Sequence, residues 1–408
     1  MANIPIWDVY FRNIMLSVDQ YPSFVKYMGS KSKIIDFVVE GINDVRRTGE
    51  PVLDLFAGSA SLSGAIGRQA PIYSNDIQNY SRILSTAYVS SWKASDTPDV
   101  DSLITQAHEI VEKVSWKIKD HLEPFISEKD VEAFNRREQS QREFLNSDFD
   151  HSWHLFLKYY SGTWWSVEQC LWIDALREVA EKYRHHPVYE IIIASLMFAM
   201  AYCSQGTGHY AQYRDAISVS SMKDILIYRK RNIIQYFRRK YLEALSYLTT
   251  EPPKYEFCAT AKDFADCLES FSGGVIYADP PYCFVHYSRF YHALETLVLY
   301  DYPELQVRGD SVVKGRYRID RHQSPFCIAS KVEGAFVDLF SGVSNSDSRL
   351  VLSYSDTGMI KLDRMVEIAS SIFSGRKLEL LTMDHQHMTL GRTGLRHRDV
   401  KECLLLIK

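Results

Sequence analysis

Apolar and polar positions alternate in three different ways along this chain. Up to residue 85 the apolar runs are short and are broken by glycine and serine. "PVLDLFAGSASLSGAIG" (51–67) reads as a strand, a Gly/Ser turn and the opening of a helix, and "PIYSNDI" (71–77) as a second strand closing on an acid. Strand, helix and strand at this spacing predict a βαβ unit. From 86 to 250 the period changes to that of helices, as in "SLITQAHEIVEKVSWKIKDHL" and "EQCLWIDALREVAEKY", and strand patterns are few. From 251 to 408 strand patterns return: "GGVIYADPPY", "SRLVLSYSD", "KLELLTMDH" and "KECLLLIK", with helical patterns between several of them. The first and third sections together predict one doubly wound α/β sheet, residues 1–85 with 251–408, interrupted by a mainly helical insertion at 86–250. The clearer boundary is "TTEPPKYEF" (249–257).

Composition narrows the class. The chain has 408 residues, 46% of them hydrophobic, which suits two domains or one elaborated domain and argues against overall disorder. Net charge is −4, so any nucleic-acid surface must be a local basic patch. Seven cysteines without a C-x-x-C pair argue against a zinc ribbon or a disulfide framework and point to a reducing, cytoplasmic setting. The start, "MANIPIWDVYFRN", shows no secretory h-region. "YEIIIASLMFAMAY" (189–202) is shorter than the roughly 20 residues a membrane span needs and reads as a buried helix.

Candidate chemistry gathers at strand ends. Asp54 ends the first strand and Gly58 follows in the turn, where a glycine lets backbone approach a ligand. The spacing is not G-x-G-x-x-G, so the dinucleotide fingerprint is not met. Asp76 ends the second strand, placed either to accept from ribose hydroxyls or to cap a helix. "VIYADPPYCF" (275–284) halts an apolar strand with two prolines, which have no N–H to give. A fixed carboxylate at Asp279 and a fixed carbonyl at Pro280 make two acceptors for an aromatic amino group, Pro281 stiffens the turn, and Tyr282 offers a face for stacking on a base. The bland alternative is a rigid turn with a helix cap.

Taken together these segments resemble the alpha-class, Dam-like N6-adenine DNA methyltransferases, which use S-adenosylmethionine. "KYMGSKSKI" (26–34) resembles the family's N-terminal segment, implying that Tyr27, Gly29 and Lys31 contact the methionine part of the cofactor. "DLFAGSAS" resembles the glycine-rich cofactor motif through Asp54, Phe56 and Gly58, with Ser59-Ala60-Ser61 where many members carry another glycine. "SNDI" resembles the second-strand acid, Asp76, and "TAKDF" (260–264) the Asp263–Phe264 pair that frames the cofactor adenine. "DPPY" is the catalytic motif as the family writes it, implying Asp279, Pro280, Pro281 and Tyr282 as catalytic, and the order of motifs is that of the alpha class. Asp at 279, rather than Ser or Asn, favours adenine N6 within this family pattern and by itself excludes neither cytosine N4 nor other planar amines. The resemblance implies a Rossmann-like methyltransferase sheet, a target-recognition region at 86–250, and site-specific methylation of a flipped adenine in duplex DNA, in a restriction–modification or related system with a cognate endonuclease as genetic partner. An inactive nucleic-acid-binding module of the same fold, or an RNA adenine methyltransferase, are the alternatives.

DNA contacts are expected from "KDILIYRKRNIIQYFRRKY" (223–241), through Arg229, Lys230, Arg231, Arg238 and Arg239, with a solvated helix face as the competing reading. Arg316 and Arg318 in "VKGRYRIDRHQ" (313–323), and Gln212 and Arg214 in "GHYAQYRD" (208–215), complete the set. Trp164, Trp165 and Trp172 read as helix core rather than a stacking platform. Tyr287 and Tyr291, just after the catalytic strand, line the target pocket or pack. The histidines of "MDHQHM" (383–388) have poor spacing for a zinc site, and no metal is expected.

Overall fold

The computed structural model describes residues 15–91, 93, 95–115, 118–122, 129–206, 208–248, 253–282, 284–388 and 397–408, the last two without the side chains of 384–388 and 397–400. The stretch read for a secretory signal lies outside the described residues, as do 249–252 of the "TTEPPKYEF" boundary and the side chains of the "MDHQHM" histidines.

The first strand of the sheet is β1 (Val52–Asp54), followed by β2 (Ile72–Asp76), β3 (Phe257–Ala261), β4 (Val275–Ala278), β5 (Arg349–Ser355), β6 (Leu378–Met388) and β7 (His397–Ile407). Their spatial order is β3-β2-β1-β4-β5-β7-β6. The first five run parallel, and β7 enters antiparallel between β5 and β6. Strand β3, at the edge, carries no alternating apolar pattern, and Phe257–Ala261 is half-buried throughout.

Strand residues alternate between two cores, as a period of two requires. Val52, Val275, Val351 and Leu404 face one side, against helices α1 (Ile35–Val45) and α2 (Ser61–Ile66). Leu53, Ile276, Leu350 and Leu405 face the other, where the helices at 332–345 and 362–372 cover them. The helical section packs around α3 (Asn79–Val89), α4 (Val167–Glu181), α5 (Val188–Cys203), α6 (Ile233–Tyr247) and α7 (His292–Leu299). Its core takes in Tyr80 and Leu84 from before the insertion and Tyr291 and Leu294 from after it. Helix α4 opens where Ser166 and Gln169 form a capping box. Helix α5, the apolar stretch noted above, is buried almost all round, and among the described residues no helix is long and apolar enough to cross a membrane. Trp164 and Trp165 are fully buried, and the Trp165 indole N–H donates to the Met200 carbonyl at 3.0 Å.

The strand order reverses between β1 and β4. In an open α/β sheet a crevice forms beyond the carboxyl ends at such a switch point.

Candidate active site

A cleft of about 1130 Å³, open to solvent, lies at that point. Every residue that the family resemblance marks for cofactor or catalysis lines it: Tyr27, Gly29, Lys31, Asp54, Phe56, Gly58, Asp76, Asp263, Phe264 and Asp279 through Tyr282. Strand β1 delivers Asp54, β2 delivers Asp76, and β4 delivers Asp279.

The turn after β1 is tied to both neighbouring strands. Leu55 N–H donates to the Tyr277 carbonyl at 2.9 Å and Ala57 N–H to the Asn75 carbonyl at 2.8 Å. Asp76 then clamps the loop, one carboxylate oxygen accepting from Gly58 N–H and the other from Gln78 N–H, each at 2.9 Å. Gly58 has φ +53°, and a Cβ there would meet the Tyr27 ring at 3.0–3.2 Å, so glycine is required twice over. Ala60, at the place where the resemblance leads one to look for a second glycine, also adopts a left-handed φ of +58°.

Other groups frame the cleft that no motif pointed to. The Asn75 side chain accepts from Lys262 N–H at 3.2 Å and donates to the Lys262 carbonyl at 3.1 Å, fixing the segment that bears Asp263 and Phe264. Asp263 also caps the following short helix, accepting from Ala265 N–H at 3.0 Å. Phe56 and Phe264 have centroids 5.8 Å apart, and Phe326 closes on both at 5.5 and 5.3 Å. Tyr27 stacks on Tyr291 at 4.5 Å and on Tyr287 at 5.5 Å. Tyr287 lines the cleft, whereas Tyr291 is fully buried and its hydroxyl accepts from Met28 N–H at 2.6 Å. Glu295 caps α3, accepting from the N–H groups of Asn79 and Tyr80. These contacts join positions far apart in the chain, which is why local patterns miss them.

The electrostatics are unusual for a buried site. Lys31 is 7% exposed and sits 3.3 Å from both Asp279 and Glu402, the latter on β7. Burial alone would lower its pKa; the two carboxylates outweigh that and hold the ammonium above its ordinary value. Its Nζ therefore faces protein acids in this state. Burial pushes the Asp54 carboxyl well above its usual range, and the charges of Asp279 and Asp76 add to the effect. Burial raises Asp76 to about 6, against the N–H groups of Gln78 and Gly58, which act to lower it. Among the described residues, Asp54 Oδ1 is buried without a hydrogen-bond partner. Carboxylates thus outnumber cations at the bottom of the cleft, and a cationic ligand is the species such a site stabilises. Among the described residues no group of three His, Cys, Asp or Glu side chains is arranged to hold a metal.

The chain matches the model of the D12 class N6 adenine-specific DNA methyltransferases over residues 27–368. It belongs to that family. Similar curated proteins include Modification methylase LlaI of Lactococcus lactis subsp. lactis, 22% identical over 377 residues covering 91% of this chain and 53% of that protein. Type II methyltransferase M.FokI of Planomicrobium okeanokoites is 22% identical over 85% of this chain and 47% of its own length. Type II methyltransferase M.NlaIII of Neisseria lactamica is 21% identical over 91% of this chain and 95% of its own. The chain thus spans about half the length of the first two relatives. Membership of a methyltransferase family implies a methyl donor.

None of the residues expected to meet DNA lines this cleft; Arg229, Lys230 and Arg231 line a separate cavity. Arg229 turns inward: its side chain is 7% exposed, ion-paired with Glu138 and donating to the carbonyls of Thr163 and Trp164. Arg316 and Arg318 are likewise interior. Arg316 donates to the carbonyls of Tyr159 and Arg142, and burial pushes its pKa down to about 10. Arg318 pairs with Asp301 and Asp320. Arg231 reaches the Tyr202 carbonyl, Arg214 pairs with Asp224 and Arg238 with Asp101. Of the cations in 223–241, Arg229 and Lys240 have buried side chains, paired with Glu138 and Glu243. Gln212, Lys230 and Arg239 are exposed.

Proposed function

We propose that the protein transfers a methyl group from S-adenosylmethionine to N6 of an adenine flipped out of duplex DNA, at a specific sequence, in the cytoplasm, as the modification enzyme paired with a cognate endonuclease in a restriction–modification system. The observation that supports this most is the convergence of Asp279–Tyr282 with the acids of β1 and β2 in one cleft. S-adenosylmethionine supplies an electrophilic methyl on a cationic sulfur, and an acid-rich cleft suits that charge. Asp76 keeps lone pairs for ribose hydroxyls beyond the two N–H bonds it accepts. Phe56 and Phe264 offer apolar walls to the cofactor adenine. Tyr27, Gly29 and the Lys31 stem border the part of the cleft assigned to the methionine moiety.

Asp279 and the Pro280 carbonyl accept the two N–H bonds of the target amino group, which turns its lone pair toward the methyl carbon. Tyr282 stacks on the target ring; its own ring is steadied edge-on by Tyr354 at 5.9 Å. Lys31 balances the Asp279 charge, so that Asp279 acts as an acceptor. Most of the acceleration then comes from positioning. Gln212, Lys230 and Arg239 are the members of the sequence-derived set offered to DNA.

Asp279→Ala and Asp279→Asn test the assignment. Tritiated methyl transfer to unmethylated DNA should fall by orders of magnitude in both, while calorimetric binding of S-adenosylmethionine survives. Substantial transfer by either variant would sink it.

A further inference from the structure

Arg289 follows the catalytic motif, and Arg321 is the third arginine of the stretch 313–323, after Arg316 and Arg318. Their guanidinium carbons sit 4.9 and 5.4 Å from the centroid of the Tyr317 ring. Arg289 Nε donates to the Tyr317 hydroxyl at 2.8 Å, and Arg321 Nη1 to the Gln306 side-chain oxygen at 2.9 Å. Neither forms an ion pair among the described residues. Arg142, Arg214, Arg229, Arg238 and Arg318, by contrast, are each paired with a carboxylate. The Arg289 and Arg321 charges are therefore positioned by a neutral ring and a neutral amide, and remain available to an anion.

Arg321 lines a second cavity of about 700 Å³ together with Gln306, Ile319 and Gln323, and this cavity shares His286, Ser288 and His322 with the main cleft; Arg289 stands near enough for its charge to act on His286. Among the described residues no acid lines it, whereas Asp54, Asp76, Asp263 and Asp279 line the main cleft. Burial, and then the charges of Arg289 and Arg321, hold the His286 imidazole below its ordinary pKa. The sign of charge thus reverses across a shared wall: acids on one side, donors and guanidinium groups on the other.

We propose that this second cavity is a phosphodiester site, in which Arg321 holds a backbone phosphate of the target strand beside the flipped nucleotide and the nearby Arg289 charge adds to the field there. The inference rests on the adenine-methylating reading of the main cleft. Flipping swings a nucleotide out about its backbone, so its flanking phosphates must come to rest near the pocket mouth. Guanidinium groups suit phosphate oxygens through paired N–H donors. A ring and an amide that orient the groups without neutralising them leave the full charge for that contact.

The test uses the full chain and unmethylated phage genomic DNA in a tritiated-methyl assay, with wild type, Arg289→Gln, Arg321→Gln and Arg321→Lys. Each glutamine variant should raise KM for DNA on the order of fivefold and flatten the slope of log kcat/KM against log salt by about one. KM for S-adenosylmethionine should not move, and calorimetric binding of that cofactor confirms that the variant is folded. Arg321→Lys keeps a point charge and should retain most of the salt slope. A rise in cofactor KM with DNA KM unchanged would hand the arginines to the cofactor carboxylate and overturn the proposal, as would glutamine variants that behave like wild type. If the proposed function itself is wrong, wild type transfers no methyl to DNA at all. If only this inference is wrong, wild type is active, Asp279→Asn is dead, and the arginine variants are normal.

Discussion

At the scale of single residues, the proposed function gives Asp76 a role in binding whose pH dependence is opposite in sign to its effect on stability. Its folded pKa, about 6, stands above the ordinary carboxylate value because it is buried. Between roughly pH 4 and 6 the folded chain therefore holds this proton more tightly than the unfolded chain, and the Asp76 contribution to stability falls as pH rises through that window. Cofactor binding goes the other way. Ribose hydroxyls need the carboxylate as acceptor, so below pH 6 each binding event must first remove a proton. The dissociation constant of S-adenosylmethionine, measured by calorimetry, should be flat above about pH 7 and weaken by up to tenfold per unit below 6. Constant affinity from pH 5 to 7.5 would show that Asp76 does not receive the ribose. The strand-ending acid was legible in the sequence; its burial and its grip on Gly58 were not, because both depend on which strands lie beside β1.

Between elements, the basic stretch 223–241 shows how a linear pattern misleads. Seven cations against one acid look like a nucleic-acid face, yet the acids that answer them come from other helices: Glu138 for Arg229 and Asp101 for Arg238. The two pairs differ in kind. Arg229 and Glu138 are buried, at 7% and 5% exposure, so Arg229→Ala leaves a carboxylate without its counter-ion and should cost about 3–5 kcal/mol. Arg238 and Asp101 are at the surface, and Arg238→Ala should cost under about 1 kcal/mol. Thermal unfolding of the two variants checks this. If Arg229→Ala melts like wild type but loses salt-dependent DNA binding, the phosphate role read from the sequence is the right one after all. The strand β7 makes a similar point at the active site, since it brings Glu402 to Lys31 from the far end of the chain.

For the molecule as a whole, the helical section is not hung on the sheet by a hinge. Leu84 and Tyr80 before it, and Tyr291, Leu294 and Leu297 after it, share one core with α4, α5 and α6. Replacing residues 91–253 by a short linker should therefore expose this apolar surface and give an aggregating chain, rather than a small intact catalytic domain. Size-exclusion chromatography and circular dichroism would decide; a soluble monomer that unfolds cooperatively would mean that the section is independent. The same shared core carries Tyr291, on which Tyr27 of the cleft stacks, so the helical section reaches the site through one ring.

The sequence by itself determined the strands that end in Asp54, Asp76 and Asp279, the glycine turn, the proline stop and the family to which they point. It could do so because each depends on local rules: a period of two, a positive φ, a missing N–H. Tertiary structure alone decided that Lys31 lies between Asp279 and Glu402, that Asn75 clamps the Asp263 segment, and that Arg229, Arg316 and Arg318 turn inward. It also decided that Arg321 lines a second cavity in which, among the described residues, no acid stands. Those outcomes turn on which charges meet through space, and Coulomb energy depends on that distance and on burial, neither of which is written in the spacing of residues along the chain.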